Sequence, residues 1–334
     1  MINYAHVIVD LQAGDTGKGK VANSLLKKGN YTHVIRYNGG GNAGHTIYVE
    51  DKMIVTHFIP CGVLHGIKSI IGPGCVVDPF KLNAEIENLE SMGFRVRGNL
   101  FIDKRVHIIT PEHKNEDSTD TIIGTTKTGN GPAYRDKYAR VGIRAEKWEG
   151  LEDMLIDIYE ELHGEKHVKV LFEGAQGIEL DVDWGDYPYV TSSHCTVGGA
   201  ILNGVPPQKI QKVFGTAKAY RTYVGNKEFE KSDEKFDKIR EIGNEFGSTT
   251  GRKRQIDWLN LDDLIKAINI NGVTDLIINK VDVLKELGQV SFHYNGNLSN
   301  FSDFESFRKL VENVIYNKCS SVGDITFSMS PYDI

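Results

Sequence analysis

Strand-like runs and helix-spaced apolar positions take turns along most of this chain. The runs at 5–9, 32–36, 69–71, 168–172, 212–216 and 275–279 are short and rich in Val and Ile, as expected of strands buried on both faces. Between and after them, 21–26, 79–89, 151–162, 233–242, 261–270 and 304–316 carry apolar residues at helical spacing. This alternation predicts an α/β fold with a mostly parallel central sheet flanked by helices, with long functional loops. Residues 46–58 read as a hairpin turning at Glu50-Asp51. From Pro111 to Arg140 the periodicity disappears and Thr, Gly, Asn and Asp dominate, so a long loop is expected there, functional or disordered. No Pro-, Gly- or Ser-rich linker and no internal repeat breaks the pattern, so residues 1–334 are expected to form one domain.

The turn after the first run carries the first chemistry. Gly14-Asp-Thr-Gly-Lys-Gly-Lys20 lies between a buried strand and a helix. Such a turn aims backbone N–H groups and the positive end of a helix dipole at one point, which favours a phosphate. It is not a Walker A loop, because only Asp15 and Thr16 separate Gly14 from Gly17 and Gly19 follows Lys18. Nor is it the dinucleotide fingerprint. Asp15 within it is unwelcome next to phosphate unless it carries a metal or a proton. A plain strand-to-helix turn with solvated lysines is the competing reading.

Composition narrows the setting. A formal net charge of -6 argues against a nonspecific nucleic-acid binder, so phosphate-binding cations must be gathered locally. No apolar run approaches the ~20 residues that span a bilayer, and no signal peptide is visible, so no membrane partner and a cytoplasmic location are expected. Cys61, Cys75, Cys195 and Cys319 are scattered without C-x-x-C spacing and fit a reducing compartment.

Further polar clusters follow other strands. Arg36-Tyr-Asn-Gly-Gly-Gly-Asn-Ala-Gly-His-Thr46 follows the second run, and in an open parallel sheet ligands gather beyond the carboxyl ends of strands. His45 and Asp15 are thereby expected to face one shared site, with His45 suited to acid work or phosphate contact. The 123–140 segment is rich in hydroxyls, glycines and cations and suits a lid or phosphate clamp. Phe172-Glu-Gly-Ala-Gln-Gly177 and Tyr187-Pro-Tyr-Val-Thr-Ser-Ser193 offer amides and hydroxyls to a base or sugar. Arg252 and Arg254 are two apart and could grip a small dicarboxylate. Asn279-Lys-Val-Asp282 at a strand end suits guanine, although four residues alone are a weak signal.

Taken in order, Gly14-Asp-Thr-Gly-Lys-Gly-Lys20, Asn42-Ala-Gly-His-Thr46, Gly131-Pro-Ala-Tyr134 with Arg140, 172–177, 187–193, 247–254 and 279–282 resemble the adenylosuccinate synthetase family. The matching segments run from near the start of the chain to near its end. Members of that family are carbon–nitrogen ligases. They couple hydrolysis of a nucleoside triphosphate, usually GTP, to joining L-aspartate to C6 of a purine mononucleotide.

The resemblance implies that Asp15 is the base on purine N1 and ligates Mg²⁺ with the Gly44 carbonyl. His45 is implied as acid toward the phosphoryl group as it moves to the purine 6-oxygen, and Lys18 as its charge partner. Asn42, Thr126, Gln176, Thr191 and Val224 match positions that hold the purine nucleotide. Arg140 matches a residue that reaches the neighbouring subunit's site, which implies a homodimer. Thr249, Thr250, Arg252 and Arg254 match the loop for the aspartate carboxylates. Gly17, Lys18, Gly19, Lys280, Asp282 and Ser328 match the triphosphate site.

Departures from the family bear on the substrate. Ala13 stands for the usual Trp, Thr16 for Glu, Thr128 for an Arg common in bacterial members, and Ser330 for a Gly near the triphosphate's base. Asp10-Leu-Gln and Thr16-Gly-Lys-Gly19 look more like a phage branch that converts dGMP toward 2-aminoadenine deoxynucleotides. That branch usually has Ser at the Asp15 position, yet a carboxylate facing N1 also accepts from an adjacent 2-amino group. The expected substrate is dGMP, with IMP as the close alternative. Residues 279–282 favour GTP, and the altered C-terminal loop favours ATP. A guanine-nucleotide switch without ligase chemistry is the reading from another class, and the missing Walker A loop counts against it.

Overall fold

The structure, a computed structural model, describes residues 1–49, 52–230, 233–247, 251–330, 332 and 334. Among the described residues, nine strands form the central sheet, in the order Asp324–Phe327, Asp275–Asn279, Ile210–Lys218, Ile2–Asp10, Val168–Glu173, His33–Arg36, Lys68–Ile71, Leu100–Asp103, Leu155–Ile156. Every pairing between them is parallel. The apolar runs of the sequence are these strands, and their side chains alternate between two buried cores. Val7, Val9, Val170 and Phe172 join one core, while Ile8, Leu171, Val34 and Ile277 join the other. A parallel sheet covered on both faces needs such runs, because each crossover helix returns over one face.

Helices Lys18–Lys28, Pro79–Ser91, Lys235–Gly243, Leu261–Asn271 and Phe304–Lys318 form where helical spacing predicts them. A smaller sheet of four strands, Tyr220–Tyr223, Gln255–Asn260, Val290–Tyr294 and Asn297–Phe301, adds to the central one. Strands His45–Val49 and Lys52–Thr56 pair antiparallel as a hairpin, and the expected turn at Glu50-Asp51 lies outside the described residues.

Two expectations are corrected. The helix expected over 151–162 is a short 3-10 turn at Glu152–Met154, an edge strand at Leu155–Ile156, and a helix only at Ile158–His163. Leucines at helical spacing mimicked one long helix, but the Asp157 carboxylate accepts the Tyr159 N–H and starts a new one. The loop expected from Pro111 to Arg140 contains two helices, Pro111–Ser118 and Asn130–Ala139. They lack an apolar stripe and are held by polar contacts instead: His113 Nε2 to Asp136 at 3.0 Å, and the Gly129 N–H to Asp117 at 2.8 Å. Between them the Asp120 carboxylate accepts the backbone N–H groups of Ile122, Ile123, Gly124 and Thr125. Among the described residues, no helix is long and apolar enough to cross a membrane.

Candidate active site

The first strand ends at Asp10, and the phosphate-type loop is wrapped around its buried carboxylate. That carboxylate accepts the N–H groups of Gln12 at 3.0 Å, Gly14 at 3.3 Å and Thr16 at 3.3 Å, together with the Thr16 hydroxyl. Lys18 Nζ completes the set at 2.8 Å. Gly14 and Gly17 take φ of 92° and 99°, and Asp15 takes 57°. A left-handed aspartate is uncommon and costs energy, so the wrapped loop must hold it there.

Beyond the strand ends lies a cavity of about 460 Å³. It brings together Asp15, Lys18, Asn42, Gly44, His45, Thr126, Gln176, Thr191, Val224 and Arg252 on its walls. These ten expected site residues come from seven separate loops and strands. Gln176 Nε2 donates to Asn42 Oδ1 at 2.9 Å, and Asn42 Nδ2 to Thr191 Oγ1 at 3.5 Å, so amide and hydroxyl groups already span the cavity. Thr126 is bonded to Thr128 at 2.9 Å. Lys18 has a second bond, to the Gln176 carbonyl at 2.7 Å. Both of its contacts are therefore within the protein.

Two buried charge clusters back this cavity. In the first, Glu173 accepts from His45 Nδ1, from Arg36 Nη1 at 3.1 Å and from the Cys61 N–H at 2.9 Å. Burial, and then the Arg36 guanidinium, lower the His45 imidazole to about 4. Burial alone would raise the Glu173 carboxyl, but His45, Arg36 and the Cys61 N–H hold it down at about 2. His45, Cys61 and Glu173 place potential ligand atoms within 4.8 Å of one another. Arg36 on the same carboxylate opposes a cation there.

In the second cluster, Arg254 bridges two carboxylates: Nη2 meets Asp15 at 2.6 Å and Nη1 meets Glu245. Glu245 also pairs with Lys218 Nζ at 2.8 Å. Burial lowers the Lys218 ammonium to about 8 against the pull of Glu245. Burial works to raise Glu245, but Lys218, Arg254 and Lys280 hold it at about 2.

The other expected residues that the structure describes lie off the cavity wall. Gly17 packs on Asn279, whose Nδ2 donates to the Thr16 carbonyl at 2.6 Å, and Gly19 packs on His45 and Ile47. Lys280, at φ 63°, starts the helix Val281–Leu287 that contains Asp282, and its Nζ reaches the Gly243 carbonyl at 2.7 Å. Ser328 Oγ accepts from Lys20 Nζ at 2.7 Å. Arg140 is exposed at the end of the helix Asn130–Ala139, with φ 68°. Thr249 and Thr250 lie outside the described residues. No place in the site was assigned from the sequence to Asp10, Arg36, Glu173, Lys218 or Glu245. The available signal was a carboxylate or cation closing an apolar run, as at Asp10 and Glu173.

The chain is similar to known proteins of one family. The family model described as Adenylosuccinate synthetase matches residues 7–155 and 145–321. The chain is 42% identical to the adenylosuccinate synthetase of Chlorobium phaeobacteroides, over 87% of this chain and 79% of that one. It is 39% identical to the Thermus thermophilus enzyme, over 85% and 80%. Among solved structures, fully ligated adenylosuccinate synthetase from Plasmodium falciparum superposes with a TM-score of 0.85 at 28% identity, covering 99% of this chain and 98% of that one. Cyanophage S-2L succinoaminodeoxyadenylate synthetase, bound to dGMP and to dATP as an energy donor, gives a TM-score of 0.77 at 22% identity, covering 99% and 94%, a likeness of fold alone.

Proposed function

The chain belongs to the adenylosuccinate synthetase family of carbon–nitrogen ligases, and from that premise we propose that it joins L-aspartate to C6 of dGMP through a 6-phosphoryl intermediate. The observation that carries this reading is the cavity that gathers Asp15, Lys18, Asn42, His45, Gln176 and Arg252. Asp15 takes the N1 proton, which makes the 6-oxygen nucleophilic enough to accept a phosphoryl group. The phosphorylated oxygen is then a good leaving group for the aspartate amine. Lys18 and His45 meet the phosphoryl group, so that fixed charges and dipoles face the charge as it develops. Asn42, Thr126, Gln176, Thr191 and Val224 hold the nucleotide. Thr249, Thr250, Arg252 and Arg254 take the aspartate carboxylates.

The carboxylate of Asp15 and the carbonyl of Gly44 are hard oxygen donors and suit Mg²⁺, which prefers one or two carboxylates with phosphates and waters. The ion would supply charge neutralisation at the phosphates. Gly17, Lys18, Gly19, Lys280, Asp282 and Ser328 take the triphosphate, GTP or ATP. Residues 1–334 act as one domain in a homodimer, in the cytoplasm or in a host's cytoplasm. Exposed Arg140 beside Tyr138 and Val141, which are 64% and 70% exposed, supports a subunit contact there.

The preference for dGMP rests on Asp10-Leu-Gln and Thr16-Gly-Lys-Gly19, which look more like the phage branch. Asp15, where that branch usually has Ser, stays compatible with it because two carboxylate oxygens can accept from both N1–H and a 2-amino group. A second reading, IMP, is favoured by relatives about two-fifths identical that are named adenylosuccinate synthetase. The test offers aspartate and Mg²⁺ with GTP or ATP against dGMP, GMP and IMP in parallel. Succinylated product from dGMP is expected. Product from IMP alone overturns the dGMP preference, and no product from any combination overturns the ligase assignment for this chain.

A further inference from the structure

Glu173 closes the strand Val168–Glu173 and is completely buried. It is absent from the wall of the large cavity, so it does not meet a substrate there. Its neighbours on both sides are nevertheless set by the sheet. In the parallel register Glu173 lies directly beside Arg36, the last residue of His33–Arg36. His45, which does line the cavity, opens the hairpin that follows.

All three of its partners approach as donors. A carboxylate only accepts, and Arg36 and the Cys61 backbone only donate. Oε2 takes the Cys61 N–H at 2.9 Å and Oε1 takes Arg36 Nη1 at 3.1 Å. The proton between Glu173 Oε1 and His45 Nδ1 must therefore belong to the imidazole. Arg36 Nη1 also lies 3.1 Å from His45 Nδ1 and 3.4 Å from His45 Nε2, a closeness that follows from both side chains meeting one carboxylate oxygen. Arg36 is fixed in turn, since its Nη2 donates to the His57 carbonyl at 3.0 Å.

We propose that Glu173 is a positioning residue for His45, holding the ring by its Nδ1–H so that Nε2 is the nitrogen turned toward the phosphoryl group and the one that carries the proton when His45 acts as its acid. The proposal rests on the role given to His45 in the ligase reading, and it adds a residue that no motif assigned. An orienting carboxylate behind a catalytic imidazole acts by selecting tautomer and ring direction, not by touching the substrate. Glutamine in place of Glu173 keeps the shape but brings an amide NH₂ into a nest of three donors. One of the three must then lose its acceptor, and the choice of tautomer is no longer enforced.

The test is ¹⁵N NMR of ring-labelled protein, with the His45 signals assigned by their loss in His45→Ala. The neutral wild-type ring is expected to carry its proton on Nδ1. In Glu173→Gln the ring is expected to shift to the other tautomer or to a mixture. In turnover, Glu173→Gln is expected to lower kcat on the order of 10²–10⁴-fold with little change in nucleotide KM, and Glu173→Asp to recover part of that loss. Placed in a His45→Ala background, Glu173→Gln should cost less than about 3-fold more, because residues acting as one unit are not additive.

A neutral wild-type ring with its proton on Nε2 overturns the proposal, and this result does not depend on any variant folding. So do an unchanged tautomer in Glu173→Gln, an unchanged kcat, or a full additional loss in the His45→Ala background. The spectra judge the role of Glu173 even if no ligase activity is found, whereas missing activity alone counts against the ligase reading.

Discussion

The two ends proposed for the site, one for the nucleotide and one for aspartate, are prepared in different ways. At the end proposed for the purine nucleotide, Asn42, Gln176 and Thr191 bond to one another across the space a ligand would enter, at 2.9 and 3.5 Å. Such groups exchange neutral hydrogen bonds for others of similar strength when a base arrives, so little is lost on binding. At the end proposed for aspartate, Arg254 is already paired with Asp15 at 2.6 Å and with Glu245. There a substrate carboxylate must replace a carboxylate of the protein. Mg²⁺ on Asp15 would compete with Arg254 for the same oxygens, and so would free the guanidinium for aspartate. By linkage, whatever favours one of these partners on Asp15 alters the affinity for the others by the same factor.

Replacing Asp15 gives the largest expected effect and tests whether both ends depend on it. Asp15→Asn keeps the shape of the loop but removes the base, and kcat is expected to fall on the order of 10²–10⁴-fold. Nucleotide KM should change far less, because the Asn42, Gln176 and Thr191 contacts remain. Steady-state kinetics with each substrate varied in turn would measure this. A loss confined to nucleotide KM, with kcat intact, would remove Asp15 from the chemistry.

A smaller pair of effects separates the two ends. Arg254→Leu removes a charged, bidentate partner and should lower kcat/KM for aspartate by roughly 10²-fold while leaving nucleotide KM nearly unchanged. Gln176→Ala removes neutral hydrogen bonds and should raise nucleotide KM by about 10-fold, leaving aspartate nearly unaffected. If both variants shift both substrates equally, the division of the site into two ends fails.

The sheet and most of its helices were legible because burial on both faces demands long apolar runs, and these can be read directly. The two helices within 111–140 were not, since their stability comes from His113 with Asp136 and Asp117 with the Gly129 N–H. The split of 151–162 was hidden by apolar residues whose helical spacing runs across an edge strand. Most of the ten expected residues on the cavity wall sit in glycine-rich segments directly after strands, and that position is a topological cue visible in sequence. Arg254 facing Asp15 was not visible, because a contact between residues so far apart in sequence depends on how the two loops pack. Glu173 and Asp10 fall between these cases. Each is a carboxylate closing an apolar run, which must find partners or a proton if the strand end is buried.

The smallest effect expected is on the pH dependence of stability, and it compares the carboxylates behind the two ends. Glu173 behind His45 and Glu245 behind Arg254 both start from an ordinary value of 4.5, and both are held at about 2 in the fold. A carboxylate depressed by folding binds fewer protons folded than unfolded, so the stability it contributes is fully present above the unfolded value. That contribution is lost as pH falls from about 4.5 toward about 2 and is flat near neutrality. Urea unfolding of the wild-type chain at a series of pH values should therefore show stability falling through that window. Glu245→Gln should be less stable at neutral pH, because Lys218 and Arg254 lose their shared partner. Its stability should also depend less steeply on pH within the acid window. An unchanged slope would mean that Glu245 does not hold its charge through the interaction with Arg254 and Lys218, and the aspartate end would lose the anchor that distinguishes it.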